Sequence, residues 1–316
     1  MPETPSIAVI IPAFRVATHI GSVLEKMPPS VRYLIVVDDA SPDSLQEVLK
    51  KSSDKRLIVL RHQVNQGVGA AMKTGFLKAI ELGADIVVKI DGDGQMDPRL
   101  ISQFVEPLLS GRADFTKGNR FRDLDYFKKI PLVRRLGNLA ISFLVKIASG
   151  YWSVFDPCNG YIALRVETLK SMNFKRLADR YFFEITMLCE AYFVRAILQD
   201  IPMKPIYAGE PSSLNASKIL FEFPPKLLSR TFYRILMSYF LIDFNVVSLF
   251  FLTGLPLFLF GVAWSAFHWM TSIQSHVFAS TGTVMIGALS IILGFQLLLQ
   301  AVVLDVQKEP GKFVGL

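Results

Sequence analysis

The sequence predicts an α/β protein: a doubly wound, mostly parallel sheet, followed by amphipathic interface helices and two transmembrane helices. Three observations predict it. Short β-branched runs alternate with helical segments through the first 120 or so residues. Turns rich in acids and glycine fall just past the ends of those runs. Two long stretches near the C-terminus contain no Asp, Glu, Lys or Arg.

The elements follow in order. Ile7–Ile11 reads as a buried strand stopped by Pro12, and Thr18–Lys26 as a short helix. Tyr33–Val37 is a second strand that ends in Asp38 and Asp39, and Ser41 caps the helix after Pro42. Leu57–Leu60 is a third strand. Asn65, Gly67 and Gly69 then turn into a helix that runs to about Leu82 and is closed by Gly83. Ile86–Ile90 is a fourth strand, ending in Asp91, Gly92, Asp93, Gly94 and Gln95. Asp97 caps a helix from Pro98 to Leu109, and Ala113–Lys117 is a fifth strand before Gly118, Asn119 and Arg120.

Acidic or glycine-rich turns thus fall at three strand carboxyl ends, where open α/β sheets bind ligands. Together they imply a site of nucleotide size. Asp91 and Asp93 are one residue apart, and the flanking glycines let backbone and ligand approach closely. Hard oxygen donors in this pattern suit Mg²⁺ or Mn²⁺ shared with phosphates, rather than zinc. The other reading of the segment is a solvated acidic turn with a helix cap. The Asn65–Gly69 turn is not a dinucleotide fingerprint, because Met72 stands where the third glycine belongs, and no P-loop is present.

From Lys128 the pattern changes. Lys128, Lys129, Arg134, Arg135 and Lys146 interleave with Leu132, Val133, Leu136, Leu139 and Phe143. Such a helix either lies on a membrane or packs on a core with solvated lysines. A second amphipathic stretch runs from Lys218 to about Tyr239, with Lys226, Arg230 and Arg234 on one helical face; leading directly into the apolar runs, it is expected to lie at the interface.

Val246–Phe267 and Thr283–Leu304 are each long enough to span a bilayer, which takes about 20 residues. The intervening loop has no Lys or Arg, whereas Lys308 and Lys312 follow the second span and a basic helix precedes the first. The positive-inside rule places both termini and the α/β domain in the cytoplasm. The expected organisation is an α/β domain over residues 1–217, juxtamembrane amphipathic helices over 218–245, and two spans with a short tail over 246–316.

Composition agrees. Hydrophobic residues make up 51% of the 316 residues, and the mean hydropathy is +0.39. A net charge of +7 points to anionic partners, while the lack of zinc-finger spacing or an arginine-rich tract speaks against nucleic acid. Cys158 and Cys189 cannot frame a metal site alone and read as reduced core or site-lining thiols. The start Met-Pro-Glu-Thr-Pro-Ser has neither a basic region nor an apolar core, so no cleaved signal peptide is expected. His19 and His62 fit neither a metal spacing nor a triad.

Six segments, in order, resemble a known family: Ile10 to Phe14, Val36 to Asp43, Asn65 to Gly69, Asp91 to Gln95, Gly118 to Arg120 and Asp156 to Tyr161. They are similar to family 2 inverting glycosyltransferases of the GT-A fold. More narrowly, they resemble polyprenyl-phosphate glycosyltransferases such as dolichol-phosphate mannose synthases and their two-span bacterial relatives. The resemblance implies transfer of one sugar from a UDP- or GDP-sugar to polyprenyl phosphate at the cytoplasmic membrane face, with homo-oligomerisation left open. It implies that Pro12, Ala13, Phe14, Val37 and Asp39 hold the nucleoside, and that Asp91, Asp93 and Gln95 hold metal and diphosphate, with Asp93 catalytic. Arg120, Arg134 and Lys218 would contact donor or acceptor phosphates, and Asp156 would lie at the transfer centre.

The chain departs from such relatives in having Phe14-Arg15-Val16 where Tyr-Asn-Glu is common, and no arginines in Pro211–Ser217. A lipid monophosphate is already an oxyanion near neutral pH, its second pKa being about 6, so it needs cations rather than a strong base. A hydroxyl acceptor, on a glycolipid or a glycan, would need Asp156 or Glu184 as base. A nucleotide-sugar-binding anchor without activity is a third class, against which the intact Asp91, Asp93 and Arg120 argue. No QxxRW motif is present, which disfavours a processive synthase.

Overall fold

The computed structural model describes residues 5–122, 132–204 and 216–311; the side chains of 132–134, 136 and 216–221 lie outside that description. The chain forms two compact units, Met1–Arg230 and Thr231–Leu316.

The first unit is built on a seven-stranded sheet. Its strands are β1 (Ile7–Ala13), β2 (Val31–Asp38), β3 (Leu57–Arg61), β4 (Ile86–Lys89), β5 (Phe115–Asn119), β6 (Ile162–Arg165) and β7 (Leu198–Pro202). Their order is β3-β2-β1-β4-β6-β5-β7. All pairings are parallel except those of β6, which runs antiparallel to both β4 and β5. The strict strand–helix alternation read from the sequence therefore holds only as far as β5.

Helices cover both faces. On one side α1 (Ile20–Glu25), α2 (Leu45–Lys51) and α4 (Ile101–Leu109, after a 3₁₀ turn at Pro98–Leu100) bury Val23, Leu45 and Phe104 with Val9, Val36 and Val88 of the strands. On the other, α3 (Val68–Glu81), α5 (Leu132–Ser149), α6 (Val166–Ser171) and α7 (Phe183–Phe193) bury Phe76, Val145, Leu169 and Phe183 with Ile10, Ile35 and Phe115. A parallel strand covered on both faces must be apolar throughout, which is why β1, β2 and β4 read as continuous hydrophobic runs.

Pro12 does not end β1. The strand continues to Ala13, paired with β2. Ile90 N–H donates to Ile10 O on the β4 side, and Asp39 N–H donates to Ala13 O on the β2 side. By alternation, the N–H that Pro12 lacks would point toward β4, where strand pairing has ended at Ile10.

Helix α5 packs on the core. Val145 and Ala148 are buried in the core, while Leu139, Phe143 and Leu144 are exposed. Lys146 is drawn inward, its Nζ donating to Trp152 O at 2.6 Å.

Helix α8 (Ala216–Leu236) crosses from the first unit into the second. Its expected row of interfacial cations is corrected by the structure. Lys226 is half exposed, but Arg230 donates to Arg176 O at 2.7 Å and lies 3.8 Å from the buried Glu190. Arg234 is buried and grips Asp305 through both terminal nitrogens at 2.7 and 2.9 Å. Two of the three cations therefore answer protein groups; an arginine in a poorly hydrated place needs a partner more than it gains from one face of a helix.

In the second unit α8 passes through one turn of π-helix, Met237–Leu241, before α9 (Val246–Ser275) and α10 (Thr281–Gln307). At about 1.5 Å per residue, both are long enough to cross a hydrocarbon core of about 30 Å. Asn245 and Ser248 form a reciprocal capping box at the start of α9. The two helices pack through small residues. A Cβ at Gly261 would stand 2.7 Å from Ile291 N, and one at Gly294 would stand 2.5 Å from Phe258 N. Only glycine lets the backbones approach this closely.

Candidate functional site

The strand carboxyl ends place Pro12–Phe14, Asp38–Asp39, Asp91–Gln95 and Asn119–Arg120 along one rim. Antiparallel β6 adds a further piece. Because Ile162 pairs with Lys89 at the end of β4, the loop before β6, Asp156–Gly160, reaches the same rim. This reversal joins Asp156 to the acids of the earlier turns.

The Asp38–Asp39 turn is held from within. Asp38 accepts from Ser41 N–H at 2.8 Å and is buried. Asp39, also buried, accepts from Gln66 N–H at 2.9 Å and Gly67 N–H at 2.7 Å, and meets His62 Nδ1 at 2.7 Å. His62 Nε2 in turn lies 2.9 Å from Thr74 Oγ1. Asp39 thereby ties the β2 turn to the glycine turn, and His62, given no chemistry by its spacing, orients it. The glycines of that turn meet the chain itself. A Cβ on Gly67, whose φ is +102°, would stand 2.5 Å from Asp179 O, and one on Gly69 would collide with Ala178 O. That space is filled by the 178–179 backbone.

Of the other residues expected to hold a nucleoside, Ala13 and Val37 are buried in the core clusters. Phe14 is 39% exposed, with the Arg15 guanidinium 5.3 Å from its ring centroid.

At the centre lies a chain of charges. Lys89, at the end of β4, is 1% exposed and donates to Asp91 at 2.6 Å; its Nζ also lies 3.3 Å from Glu184 of α7. Burial alone would depress the Lys89 ammonium, but Asp91 and Glu184 outweigh it and hold the group above the ordinary lysine range. Lys117, in the middle of β5, is fully buried, and its Nζ donates to Asn159 O. Burial pushes its pKa below the usual lysine range, against the pull of Glu184 and Asp156.

Asp156 is buried beside it. Arg120 donates to both of its oxygens, at 2.7 and 3.0 Å, and Asn159 Nδ2 is 3.3 Å away. Arg120 itself is fixed by the preceding residue, since Asn119 accepts from Phe121 N–H at 2.9 Å and donates to Asp200 at 2.7 Å. In the Asp91–Gln95 turn, Asp93 accepts from Gln95 N–H at 3.0 Å. Gly160 faces this turn: a Cβ there would collide with Lys89 Nζ and stand 2.8 Å from Asp91 Oδ2.

The rim thus joins Phe14, Asp39, Asp91, Asp93, Gln95, Arg120 and Asp156. The side chains of Arg134 and Lys218 lie outside the described residues. Lys89, Lys117 and Asn159 are not singled out by the sequence, which offers Glu184 only as a possible base. One signal was available: a lysine inside the apolar run Ile86–Ile90 must find a counter-charge. The two cysteines form no disulfide; Cys158 is exposed and Cys189 buried.

Comparison with known proteins agrees with this geometry. The chain is 30% identical over 246 residues to the UDP-N-acetylglucosamine–dolichyl-phosphate N-acetylglucosaminyltransferase of Methanococcus voltae, covering 73% of this chain and 95% of the relative. It is 27% identical to the undecaprenyl-phosphate mannosyltransferase of Micrococcus luteus, over 58% of this chain and 75% of that one. Among solved structures, glucosyl-3-phosphoglycerate synthase from Mycobacterium tuberculosis, in complex with Mn²⁺, UDP and glucosyl-3-phosphoglycerate, superposes with a TM-score of 0.54 at 23% identity. That match covers 72% of this chain and 80% of the synthase, and it shares the GT-A fold. Residues 8–172, which run from β1 through α6 and include every acid of the rim, match the model of glycosyl transferase family 2, and the chain belongs to that family.

Proposed function

We propose that this glycosyltransferase moves a single sugar, with inversion, from a nucleotide-diphosphate sugar to a polyprenyl phosphate at the cytoplasmic membrane face. One observation carries the choice of acceptor: both carboxylates that could deprotonate a hydroxyl are engaged by cations. Asp156 is bound at both oxygens by Arg120, and Glu184 lies 3.3 Å from the buried Lys89 ammonium. A phosphate acceptor, already ionised, needs neither as a base. Relatives with names that specify dolichyl or undecaprenyl phosphate support the same reading.

In this reading Asp156 positions Arg120 on the phosphate side of the transfer centre, and Phe14 lies beside the nucleoside. Arg134 and Lys218 hold the acceptor phosphate. Asp91, Asp93 and Gln95 are the residues to hold a divalent ion, Mg²⁺ or Mn²⁺. They fit one: their donors are hard oxygens on one turn, and Gly160 leaves the flank of Asp91 without a Cβ. When bound, such an ion neutralises charge on the departing diphosphate.

The acceptor is tested with polyprenyl phosphate and dephosphorylated polyprenol. Loss of one charge-assisted hydrogen bond costs about 1.5–3 kcal/mol, so Arg134→Ala should weaken use of the phosphate about tenfold to a hundredfold. Asp156→Asn should keep measurable turnover. Efficient transfer to the alcohol, abolished in Asp156→Asn and unaffected in Arg134→Ala, would establish a hydroxyl acceptor instead.

We also propose that both termini face the cytoplasm, on the asymmetry of Lys and Arg around the two apolar helices. A reporter fused after Leu316 should be active on the cytoplasmic side; activity confined to the outer side refutes this orientation.

A further inference from the structure

Lys89 ends a strand buried on both faces, and its ammonium lies against Gly160, where a Cβ would collide with it. A buried ammonium must keep a counter-charge, and two carboxylates are in reach, Asp91 at 2.6 Å and Glu184 at 3.3 Å. They differ in access. The Asp91 side chain is 31% exposed and opens on the rim, whereas that of Glu184 is 11% exposed. A cation arriving from solvent therefore meets Asp91, and meets it already engaged.

We propose that Lys89 is a resident counter-cation that competes with the divalent ion for Asp91, and that Glu184 is the carboxylate that receives Lys89 when the ion wins. This rests on the reading of Asp91 and Asp93 as metal ligands. Two cations beside one carboxylate repel each other, and a nucleoside diphosphate brings the negative charge that offsets the repulsion. The ion alone consequently binds weakly, and ion and nucleoside diphosphate bind together. Lys89 and Glu184 are positioning residues, acting on the ion through Asp91.

The test is Mn²⁺ binding, read from the spin resonance of the free ion, on the full chain in detergent with and without UDP or GDP. Lys89→Met/Glu184→Gln removes the ammonium together with its buried partner. It should bind Mn²⁺ without nucleotide about ten- to a hundredfold tighter than the native chain, the range expected for freeing one charge-assisted hydrogen bond. The enhancement produced by nucleotide should shrink in proportion. Glu184→Gln alone should act in the opposite direction, weakening Mn²⁺ binding even with nucleotide present, because Lys89 then has only Asp91. Lys117→Met serves as a control for the general field: Lys117 donates to Asn159 O, so its loss should change Mn²⁺ affinity far less.

Nucleotide-free affinity that is unchanged or reduced in the double variant, or raised equally by Lys117→Met, overturns the role of Lys89 and leaves the metal site standing. No Mn²⁺ binding by the native chain with either nucleotide removes both the role and the metal reading beneath it.

Discussion

Asp93→Ala is expected to reduce sugar transfer by at least the factor of about 10²–10³ seen when one group that stabilises a developing negative charge is removed. Chelation of divalent ions should do the same to the native chain. Of the two acids in the turn, Asp93 gives the cleaner test. Asp91 is hydrogen-bonded to Lys89 at 2.6 Å, so its removal also strips a buried ammonium of a partner and adds a folding defect to any loss of activity. Asp93 is anchored in its turn by Gln95 N–H at 3.0 Å. The measurement is the initial rate with Mg²⁺ or Mn²⁺ and then with excess EDTA, alongside thermal unfolding of both chains. Full activity in EDTA would refute the metal assignment whatever Asp93→Ala does.

The largest effect on stability is expected at Asp305. Its carboxylate takes both terminal nitrogens of Arg234, at 2.7 and 2.9 Å, and the Tyr239 hydroxyl at 2.5 Å, all of them buried. Removing one partner of such a buried pair costs about 3–5 kcal/mol. Asp305→Ala should therefore lower the midpoint of thermal unfolding in detergent and expose the second unit to protease. The double variant Arg234→Met/Asp305→Leu should recover most of the loss, since two apolar side chains can replace a buried pair nearly neutrally. Equal instability of single and double variants would mean that shape rather than charge holds this junction. The π-turn at Met237–Leu241 sets Tyr239 within reach of the pair, which gives that irregularity a structural use.

Much of this protein is legible in local patterns. Strands β1, β2 and β4 appear as β-branched runs because strands buried on both faces are largely apolar, and the acids that follow them mark the rim. The two apolar helices declare themselves by length, and the turn Asp91–Gln95 by its alternation of acid and glycine. Each of these is a property of neighbours in the chain, so a short window contains it.

What only the tertiary structure decided lies between distant residues. The reversal of β6 brings Asp156 to the rim, and no feature of Ile162–Arg165 announces its direction. The bidentate grip of Arg120 on Asp156, and the place of His62 beside Asp39, join residues far apart in the chain. The cations of α8 looked like a membrane-facing row by their spacing of four; Glu190 and Asp305 claim two of them from other helices. A helical period records which side chains share a face, but not what that face meets. The partner of a buried charge is chosen by three-dimensional proximity, because desolvation penalises every charge left alone and is indifferent to separation along the chain.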